Sequence, residues 1–424
     1  MELKYGNISF PLILPRERAF TTVRASCENP ERSPSEIITE ALDSCKDVIS
    51  SFKPREKVLV VTSDITRYTG SEIYLPFLVE RLNGAGIRDE DIEVLIALGI
   101  HRKQTRHEHQ KIMGPLFGRV HVEDHDCDDP GKLTTLGKTS NGIEVTLNRK
   151  VTAADRLILT GTIGFHYFAG FGGGRKSLLP GVAGRKSCMA SHFAVLNPGE
   201  GNGRNPLAAT GVLEGNPVHA AMVEACAMVE PDLILNTVLS PGKRIIAAFA
   251  GHWLDAHLEG CRYYAEKFSS ALDRRADLVV VSCGGFPKDI NLIQAHKAME
   301  YGSRGVRDGG VMVLLAECRD GFGNATFFNW FRFLDPAKFE AELRRNYEIN
   351  GQTAYSLLLK AQRFTIILVS ALPAEEVKTM GMIPAETLED AMAKAGRLLP
   401  DDYTACVIPE GGTVLPVLNS GARL

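Results

Sequence analysis

Short apolar runs alternate with segments of helical periodicity along most of this chain, and this alternation limits the fold more than any other feature. Short runs rich in valine, isoleucine and leucine are typical of buried strands. The predicted strands are 58–62, 92–98, 120–122, 157–160, 233–235, 245–248, 278–281, 311–315 and 365–369. Helix-period segments lie between several of them, at 73–82, 218–228, 253–268, 337–347 and 386–398. This pattern predicts an α/β fold with mostly parallel sheets.

The length of the chain predicts more than one domain. Its 424 residues are more than one hydrophobic core normally organises. We therefore predict two α/β domains, residues 1–268 and residues 269–424, joined near the helical segment 253–268. We also predict that the active site lies in the cleft between them.

Composition excludes several classes of partner. A formal net charge of -3 and a pI near 6.4 give no bulk attraction for nucleic acid or for an anionic membrane. The chain has no apolar signal region at its start and no apolar run of the roughly 20 residues that would cross a bilayer, so we expect a cytoplasmic protein. Its 9 cysteines are scattered singly without a C-x-x-C pair, which argues against a zinc knuckle or a disulfide framework.

Polar side chains follow three of the predicted strands at their carboxyl ends. Asp64 and Arg67 follow the first predicted strand, His101 follows the second and His166 follows the fourth. Ligands bind at this end of the strands in open α/β sheets. Each residue also has a structural interpretation, since Asp64 could cap a helix and a single histidine could be an ordinary hydrogen-bonding group. Three such cases together favour a functional site.

A glycine run, Gly172 to Gly174, leads directly into Arg175 and Lys176. Glycines at a strand end let backbone N–H groups approach a phosphate, so this segment predicts a cradle for an anion or a cofactor. The spacing matches neither the P-loop nor the dinucleotide pattern G-x-G-x-x-G. A glycine-rich turn with a solvated basic end is the alternative.

Two further segments carry candidate residues. His192 lies on a predicted short helix, and the loop that follows it, 197–206, contains Arg204, which could meet a phosphate or lie on an ordinary surface loop. Later in the chain, Gln294 and Lys297 are three residues apart on a predicted helix and share one face. An amide and a cation suit a carboxylate, although such a pair is usually just a polar face.

Taken in order, these segments resemble the nickel-pincer-dependent lactate racemases and related 2-hydroxyacid racemases and epimerases. The resemblance rests on Ser63-Asp64-Ile65-Thr66-Arg67, Gly99-Ile100-His101-Arg102, the segment from His166 to Lys176, His192 with its Asn-Pro-Gly loop, and Gly284-Gly285 through Gln294 and Lys297. It implies that the first domain binds the cofactor and carries catalysis, and that the second adds substrate contacts. It also implies an isomerase that inverts a 2-hydroxy acid through a 2-keto acid by proton-coupled hydride transfer.

The resemblance also implies a cofactor and a role for each candidate residue. The cofactor is a nickel-pincer nucleotide, pyridinium-3-thioamide-5-thiocarboxylic acid mononucleotide with bound nickel, which takes up the hydride. Lys176 would be its covalent attachment point, and His192 would be the protein ligand of nickel. The remaining implied roles are acid–base catalysis for His101 and His166, cofactor binding for Asp64, Gly172, Gly173, Gly174 and Arg175, and substrate binding for Arg67, Gln294 and Lys297. Orientation of a catalytic group is the alternative role for Asp64. The implied partners are a small 2-hydroxy acid and the accessory proteins that synthesise the cofactor.

The chain departs from the family pattern at Ile293, where lactate-specific members carry a hydroxyl-bearing aromatic residue, and at Ile100 and Lys103. Lactate is the default substrate, and malate, a longer or aromatic 2-hydroxy acid and a sugar acid such as gluconate are alternatives. A nickel- or cofactor-binding protein without turnover would not need two opposed bases, His101 and His166. A conventional nicotinamide dehydrogenase is disfavoured because no dinucleotide fingerprint is present.

Overall fold

The computed structural model describes residues 1–13, 20–26 and 31–419. These residues form two compact units. Unit 1 contains Met1–Ser26, Asn197–Gly203 and Glu266–Leu424, and unit 2 contains Cys27–Leu196 and Arg204–Ala265. Residues 1–26 and 197–203 thus belong to the unit that also holds the C-terminal part of the chain. The functional roles predicted for domains 1–268 and 269–424 stay predictions.

Strands and helices alternate along both units. The strands are β1 Glu2–Tyr5, β2 Ile8–Pro11, β3 Phe20–Thr22, β4 Val58–Ser63, β5 Ile92–Ala97, β6 His121–Asp124, β7 Leu133–Lys138, β8 Glu144–Asn148, β9 Arg156–Ile163, β10 Phe165–His166, β11 Gly170–Phe171, β12 Leu233–Leu239, β13 Ile245–Gly251, β14 Ser269–Leu272, β15 Ala276–Ser282, β16 Val306–Leu315, β17 Thr365–Val369, β18 Ile383–Ala385, β19 Ala405–Ile408 and β20 Leu415–Leu418. The α-helices are α1 Pro34–Asp43, α2 Lys46–Ser50, α3 Ser71–Gly84, α4 Arg106–Met113, α5 Lys150–Ala153, α6 Arg175–Leu178, α7 Arg185–Phe193, α8 Pro217–Ala227, α9 Asp255–Phe268, α10 Leu292–Gly302, α11 Pro336–Arg345, α12 Ile349–Arg363, α13 Ala374–Thr379 and α14 Leu388–Gly396.

Unit 2 is built around a six-stranded sheet with the order β13-β12-β9-β4-β5-β6. All neighbouring pairs are parallel except β12 and β13, which form an antiparallel hairpin. Alternate side chains of β4 enter different hydrophobic clusters: Val58 and Val60 pack on one face, and Leu59 and Val61 on the other. Because a strand covered on both faces buries every side chain, its sequence is a continuous apolar run rather than an alternating one.

Unit 1 contains a second six-stranded sheet, in the order β18-β17-β16-β15-β19-β3, and all of its neighbouring strands are parallel. The edge strand β3 comes from the N-terminal part of the chain and pairs with β19. The predicted α/β class with mostly parallel sheets is confirmed.

The predicted elements correspond to observed ones. Each of the predicted apolar runs overlaps a strand, and each predicted helix overlaps an α-helix. The short strands β3 and β19 were not predicted, since three or four residues carry little periodicity and their pairing is long-range. The aromatic cluster around Trp330 is core, because Trp330 is 7 % exposed and stacks on Phe339.

Two predictions from composition can be compared with the described residues. No helix among them is long and apolar enough to cross a membrane. Of the cysteines, those at 45, 127, 188, 226, 261, 283, 318 and 406 are buried free thiols, while Cys27 lies outside the described residues. They behave as small apolar core residues.

Candidate active site

Three of the predicted site residues lie beyond the carboxyl ends of neighbouring strands in unit 2. Strands β5, β4 and β9 are adjacent and parallel, so their carboxyl ends share one edge of the sheet. Asp64 directly follows β4, His101 lies in the turn after β5, and His166 ends the short strand β10 that follows β9. The topology therefore brings Asp64, His101 and His166 to one edge of one sheet, although Asp64 and His166 are 102 positions apart in the sequence.

Asp64 and His101 form a hydrogen-bonded pair. Nδ1 of His101 lies 2.5 Å from Oδ2 of Asp64, and the aspartate side chain is 2 % exposed whereas the histidine side chain is 40 % exposed. An ionised carboxylate can only accept, so Nδ1 carries a proton, and in the neutral imidazole Nε2 keeps its lone pair. Burial by itself would raise the pKa of Asp64, but hydrogen bonds from His101 and Thr66 outweigh it and lower the pKa. Asp64 is thus a fixed negative charge that orients the ring of His101 through Nδ1.

A second layer of hydrogen bonds holds this pair in place. The backbone N–H and the hydroxyl of Thr66 both donate to Oδ1 of Asp64, at 3.1 and 2.6 Å. The side-chain oxygen of Gln104 accepts from the N–H of Ile65, and the backbone N–H of Gln104 donates to Asp124. Each Asp64 oxygen therefore has its own donor, which leaves the carboxylate one orientation.

The glycine run packs tightly against the sheet. A Cβ on Gly161, in β9, would lie 2.7 Å from the N atom of Gly174, and a Cβ on Gly173 would lie 2.8 Å from Nδ1 of His257. The N–H of Gly172 donates to the Gly164 carbonyl, and that of Gly174 donates to Oδ1 of Asn236. Close packing accounts for these glycines, and phosphate binding by Gly172, Gly173 and Gly174 stays a prediction.

Arg175 is fully buried, and its guanidinium donates hydrogen bonds to other groups of unit 2. Nε donates to Nδ1 of His219, and the terminal nitrogens donate to the carbonyls of Ala169, Phe171 and Gly172. Burial lowers the pKa of Arg175 to about 10, so it stays cationic at neutral pH. These contacts tie the glycine run together, and cofactor binding by Arg175 likewise stays a prediction.

Lys176 and His166 lie side by side at the end of this run. Nζ of Lys176 is 2.8 Å from Nε2 of His166, and the backbone N–H of Ala169 donates to Nδ1 of the same histidine at 3.3 Å. The buried ring of Phe168 contacts His166 edge-on, with 4.5 Å between ring centroids, and lies 5.5 Å from Nζ of Lys176. It also meets His192, with the centroids 5.2 Å apart. Phe168 thus touches three of the predicted functional side chains.

His192, on α7, is held in the form that a metal ligand requires. Its Nδ1 lies 2.8 Å from the carbonyl of Cys188 one turn earlier, so Nδ1 carries a proton and Nε2 keeps its lone pair. Burial, followed by the charge of Lys176, lowers the pKa of His192 to about 4. The imidazole is therefore neutral at pH 7, and a backbone carbonyl fixes its tautomer as in many metal sites.

The predicted substrate-binding residues lie in both units. In unit 2, Arg67 is exposed at the turn after β4, and its charge contributes to lowering the pKa values of Asp64 and His192. In unit 1, Gln294 and Lys297 lie on α10 as predicted, and Nζ of Lys297 donates to Oε1 of Gln294 at 2.9 Å. The two side chains form one polar group on that helix.

Among the described residues, one cluster of three side chains, Glu93, His121 and Glu123, has the spacing of a metal site. It lies on β5 and β6, toward the amino end of β5, opposite the edge that carries His101. Lys150 pairs with both glutamates and Lys132 with Glu123, which lowers the pKa of Glu123 to about 2 despite its partial burial. These carboxylates are already neutralised by ammonium groups, so the cluster does not suit a nickel centre.

Several residues around the site were not predicted from sequence. Phe168 lies within the predicted segment but gave no signal, because aromatic side chains are mostly packing residues. His219, Asn236 and His257 approach the glycine run from α8, β12 and α9. Long-range packing brings them there, and no local spacing in the sequence indicates it.

Comparisons with known proteins agree with one another. The family model for the lactate racemase N-terminal domain matches residues 5–203, and that for the lactate racemase C-terminal domain matches residues 272–416. The chain is 32 % identical to a lactate racemase of Thermoanaerobacterium thermosaccharolyticum, with 98 % of each protein covered. It is 31 % identical to a lactate racemase of Lactiplantibacillus plantarum, with 92 % of each covered.

Solved structures show the same fold. The lactate racemase apoprotein from T. thermosaccharolyticum superposes with a TM-score of 0.88 at 32 % identity, covering 98 % of this chain and 99 % of that one. A protein from Thermotoga maritima superposes with a TM-score of 0.66 at 20 % identity, covering 93 % of this chain and all of that one. The second likeness shows a shared fold alone.

Proposed function

The chain belongs to the lactate racemase family and is an isomerase, and from that premise we propose that it inverts a 2-hydroxy acid with the help of a nickel-pincer nucleotide. The Asp64–His101 pair carries this proposal. A buried carboxylate that fixes the proton on Nδ1 leaves Nε2 as a base on the exposed side of the ring. A protein that only stored nickel or cofactor would have no use for such a pair.

We assign the acid–base work to His101 and His166. His101 would take the hydroxyl proton of one enantiomer as the Cα hydrogen leaves as hydride. His166 would give a proton to the keto oxygen as the hydride returns to the opposite face of the flat 2-keto acid. For the other enantiomer the two roles exchange. The buried aspartate also stabilises His101 once it is protonated, as orienting carboxylates do. We assign Asp64 to this orienting role in preference to cofactor contact.

The residues present suit the implied cofactor. His192 offers a neutral imidazole with the proton on the nitrogen away from the ligand position, which is the state that nickel requires. Lys176 offers an amine for covalent attachment next to His166. When bound, the group would supply a hydride acceptor at the site. Glycines 172 to 174 and Arg175 would shape the loop that carries Lys176.

We assign binding of the substrate carboxylate to cationic and amide side chains. Arg67 is an exposed cation at the turn that carries Asp64, and Lys297 with Gln294 forms a polar pair suited to a carboxylate. Lactate is the first substrate to test, because the named relatives act on it. Ile293 takes the place of a hydroxyl-bearing aromatic residue, so malate, aromatic or longer 2-hydroxy acids and sugar acids belong in the same screen.

The test is racemisation of Cα-deuterated L-lactate in ordinary water, using protein produced in a host that makes the cofactor. Internal return of hydride retains deuterium in the D-lactate formed, whereas exchange through a carbanion loses it to solvent. Intact mass and metal analysis of the same sample are expected to give an adduct on Lys176 and about one nickel per chain, as a single site requires. Lys176→Arg is the control, which keeps the charge but removes the attachment point.

Three results would contradict parts of this assignment. Turnover by protein in which Lys176 is unmodified would refute the proposed covalent cofactor. Complete loss of deuterium to solvent would replace hydride transfer by proton abstraction. A loaded protein that inverts no 2-hydroxy acid in the screen would favour a binding protein without turnover.

A further inference from the structure

The carboxyl end of β6 adds one more side chain, that of Asp124, to the edge of the sheet that carries Asp64 and His101. Asp124 is the last residue of β6, and β6 is the parallel neighbour of β5, which the turn with His101 follows. Its side chain is 10 % exposed. Its carboxylate binds the segment that runs from His101 into α4.

The two oxygens of Asp124 hold this segment at two points. Oδ2 accepts from the backbone N–H of Gln104 at 2.7 Å, and Oδ1 lies 2.7 Å from Nε2 of His109, in the first turn of α4. Because a carboxylate oxygen accepts, the proton of this second bond lies on Nε2 of His109. The loop after His101 and the start of α4 are therefore both attached to the end of β6.

The side chain of Gln104 extends this attachment to the loop after β4. Its Oε1 accepts from the backbone N–H of Ile65 at 3.1 Å, and Ile65 directly follows Asp64. Gln104 thus bonds to Asp124 through its backbone and to the loop after β4 through its side chain. The bond of 2.5 Å between Nδ1 of His101 and Oδ2 of Asp64 joins the same two loops. The length of that bond depends on the separation of the loops, which Gln104 fixes.

We propose that Asp124 and Gln104 are positioning residues, which set the geometry of the Asp64–His101 pair by tying the ends of β4, β5 and β6 together. They act through the backbone of the two loops. A base that is displaced by about 1 Å can lose about 100-fold in rate, so this attachment matters for proton transfer. The inference rests on the proposed function in one respect, the assignment of His101 as a base, and the first experiment requires no turnover.

The first experiment detects the Asp64–His101 bond in the full-length chain made without cofactor. With ¹⁵N-labelled histidine, NMR detects the Nδ1 proton of His101, which a short bond to a carboxylate shifts far downfield, and Asp64→Ala assigns the resonance. Gln104→Met keeps the length of the side chain but removes the acceptor for Ile65. We expect the proton to move upfield in this variant or to be lost by exchange with water. Gln104→Glu keeps an acceptor oxygen and is expected to retain the downfield proton.

The second experiment compares two replacements of Asp124 in the cofactor-loaded enzyme. Asp124→Ala removes both acceptor oxygens, and we expect kcat per bound nickel to fall about tenfold to 100-fold. KM for the substrate should change little, because Asp124 positions the base and binds no substrate. In Asp124→Asn the amide oxygen accepts from Gln104 and the amide nitrogen donates to His109, whose proton moves to Nδ1. Asp124→Asn should therefore restore most of kcat.

His107→Ala, at an exposed position of the same helix, is the control and is expected to change neither the His101 proton nor kcat. A His101 proton at its wild-type position in Gln104→Met would overturn the role of Gln104. An Asp124→Ala enzyme with wild-type kcat, or an Asp124→Asn enzyme as slow as Asp124→Ala, would overturn that of Asp124.

Thermal unfolding establishes that each variant is folded. If Asp124→Ala does not fold, the NMR comparison of Gln104→Met with Gln104→Glu decides the question. If the wild-type chain inverts no 2-hydroxy acid, the proposed function fails, whereas the same NMR comparison still supports or overturns the positioning of the Asp64–His101 pair.

Discussion

Replacing Asp64 by asparagine is expected to inactivate His101 by moving one proton, while the fold is kept. In the wild-type chain Oδ1 of Asp64 accepts two bonds from Thr66, and Oδ2 accepts from Nδ1 of His101. An asparagine has one oxygen, and the two Thr66 donors require it at the Oδ1 position. Its NH₂ group then faces His101, so Nδ1 becomes the acceptor and the proton moves to Nε2. The base loses its lone pair at the position where we place the substrate hydroxyl.

The magnitude follows from what is lost. Loss of a general base costs about 10² to 10⁴-fold in rate, and an aspartate-to-asparagine change that fixes the wrong histidine tautomer lies at the upper end of that range. In Asp64→Ala neither tautomer of His101 is imposed, so a fraction of the molecules keeps the active one. We therefore expect kcat to decrease in the order wild type, Asp64→Ala, Asp64→Asn, even though alanine leaves the Thr66 donors without their acceptor.

The assay is conversion of each lactate enantiomer, followed by chiral chromatography and normalised to nickel bound per chain. Because the two enantiomers have equal free energy, kcat/KM must fall by the same factor in both directions. Thermal unfolding of each variant separates a catalytic loss from a folding loss. An Asp64→Asn variant with wild-type kcat, or one more active than Asp64→Ala, would refute the tautomer argument. Loss of nickel in Asp64→Asn would instead indicate that Asp64 contacts the cofactor.

Three further predictions concern the surroundings of the site. Burial lowers the pKa of His219 to about 3 and that of His257 well below the ordinary 6.5, so the unfolded chain takes up these protons first and stability is lost as pH falls below about 6.5. Each such histidine changes the free energy of unfolding by up to about 1.4 kcal/mol per pH unit. In urea unfolding between pH 7 and pH 5, His219→Gln should make the free energy of unfolding less dependent on pH, whereas His107→Gln, at an exposed position, should not. Gly173→Ala combines a φ of +112° with a Cβ 2.8 Å from His257, and we expect it to lower the free energy of unfolding by about 2 to 4 kcal/mol. Gly142→Ala, with φ +83° and open space around it, should lower it by about 1 kcal/mol. Equal losses of stability in thermal melts of the two variants would contradict the packing argument. Finally, His192→Ala should abolish nickel retention while the mass adduct on Lys176 persists, and a variant that still holds about one nickel after dialysis would show that another ligand set holds the metal.

The local sequence pattern was sufficient to predict the helices and strands and the type of side chain at the end of each strand. Continuous apolar runs such as that of β4 indicate strands buried on both faces, and parallel strands place their carboxyl ends together. From those two facts Asp64, His101 and His166 could be assigned to one region before any contact was known. The edge strand β3 could not be predicted, because its partner β19 lies nearly 400 positions away.

The sequence by itself determined which residues can do chemistry here: histidines, a lysine and an aspartate at the ends of buried strands, with a glycine run between them. Only the tertiary structure decided their states. The proton position on His101 depends on a buried carboxylate 37 positions away. The neutral form of His192 depends on burial, and its tautomer depends on a carbonyl one turn earlier. A glycine is required at position 173 by His257 and Asn236, which come from other elements. Protonation and packing depend on distances across the fold, and distances of that kind are set by the complete packing of the unit.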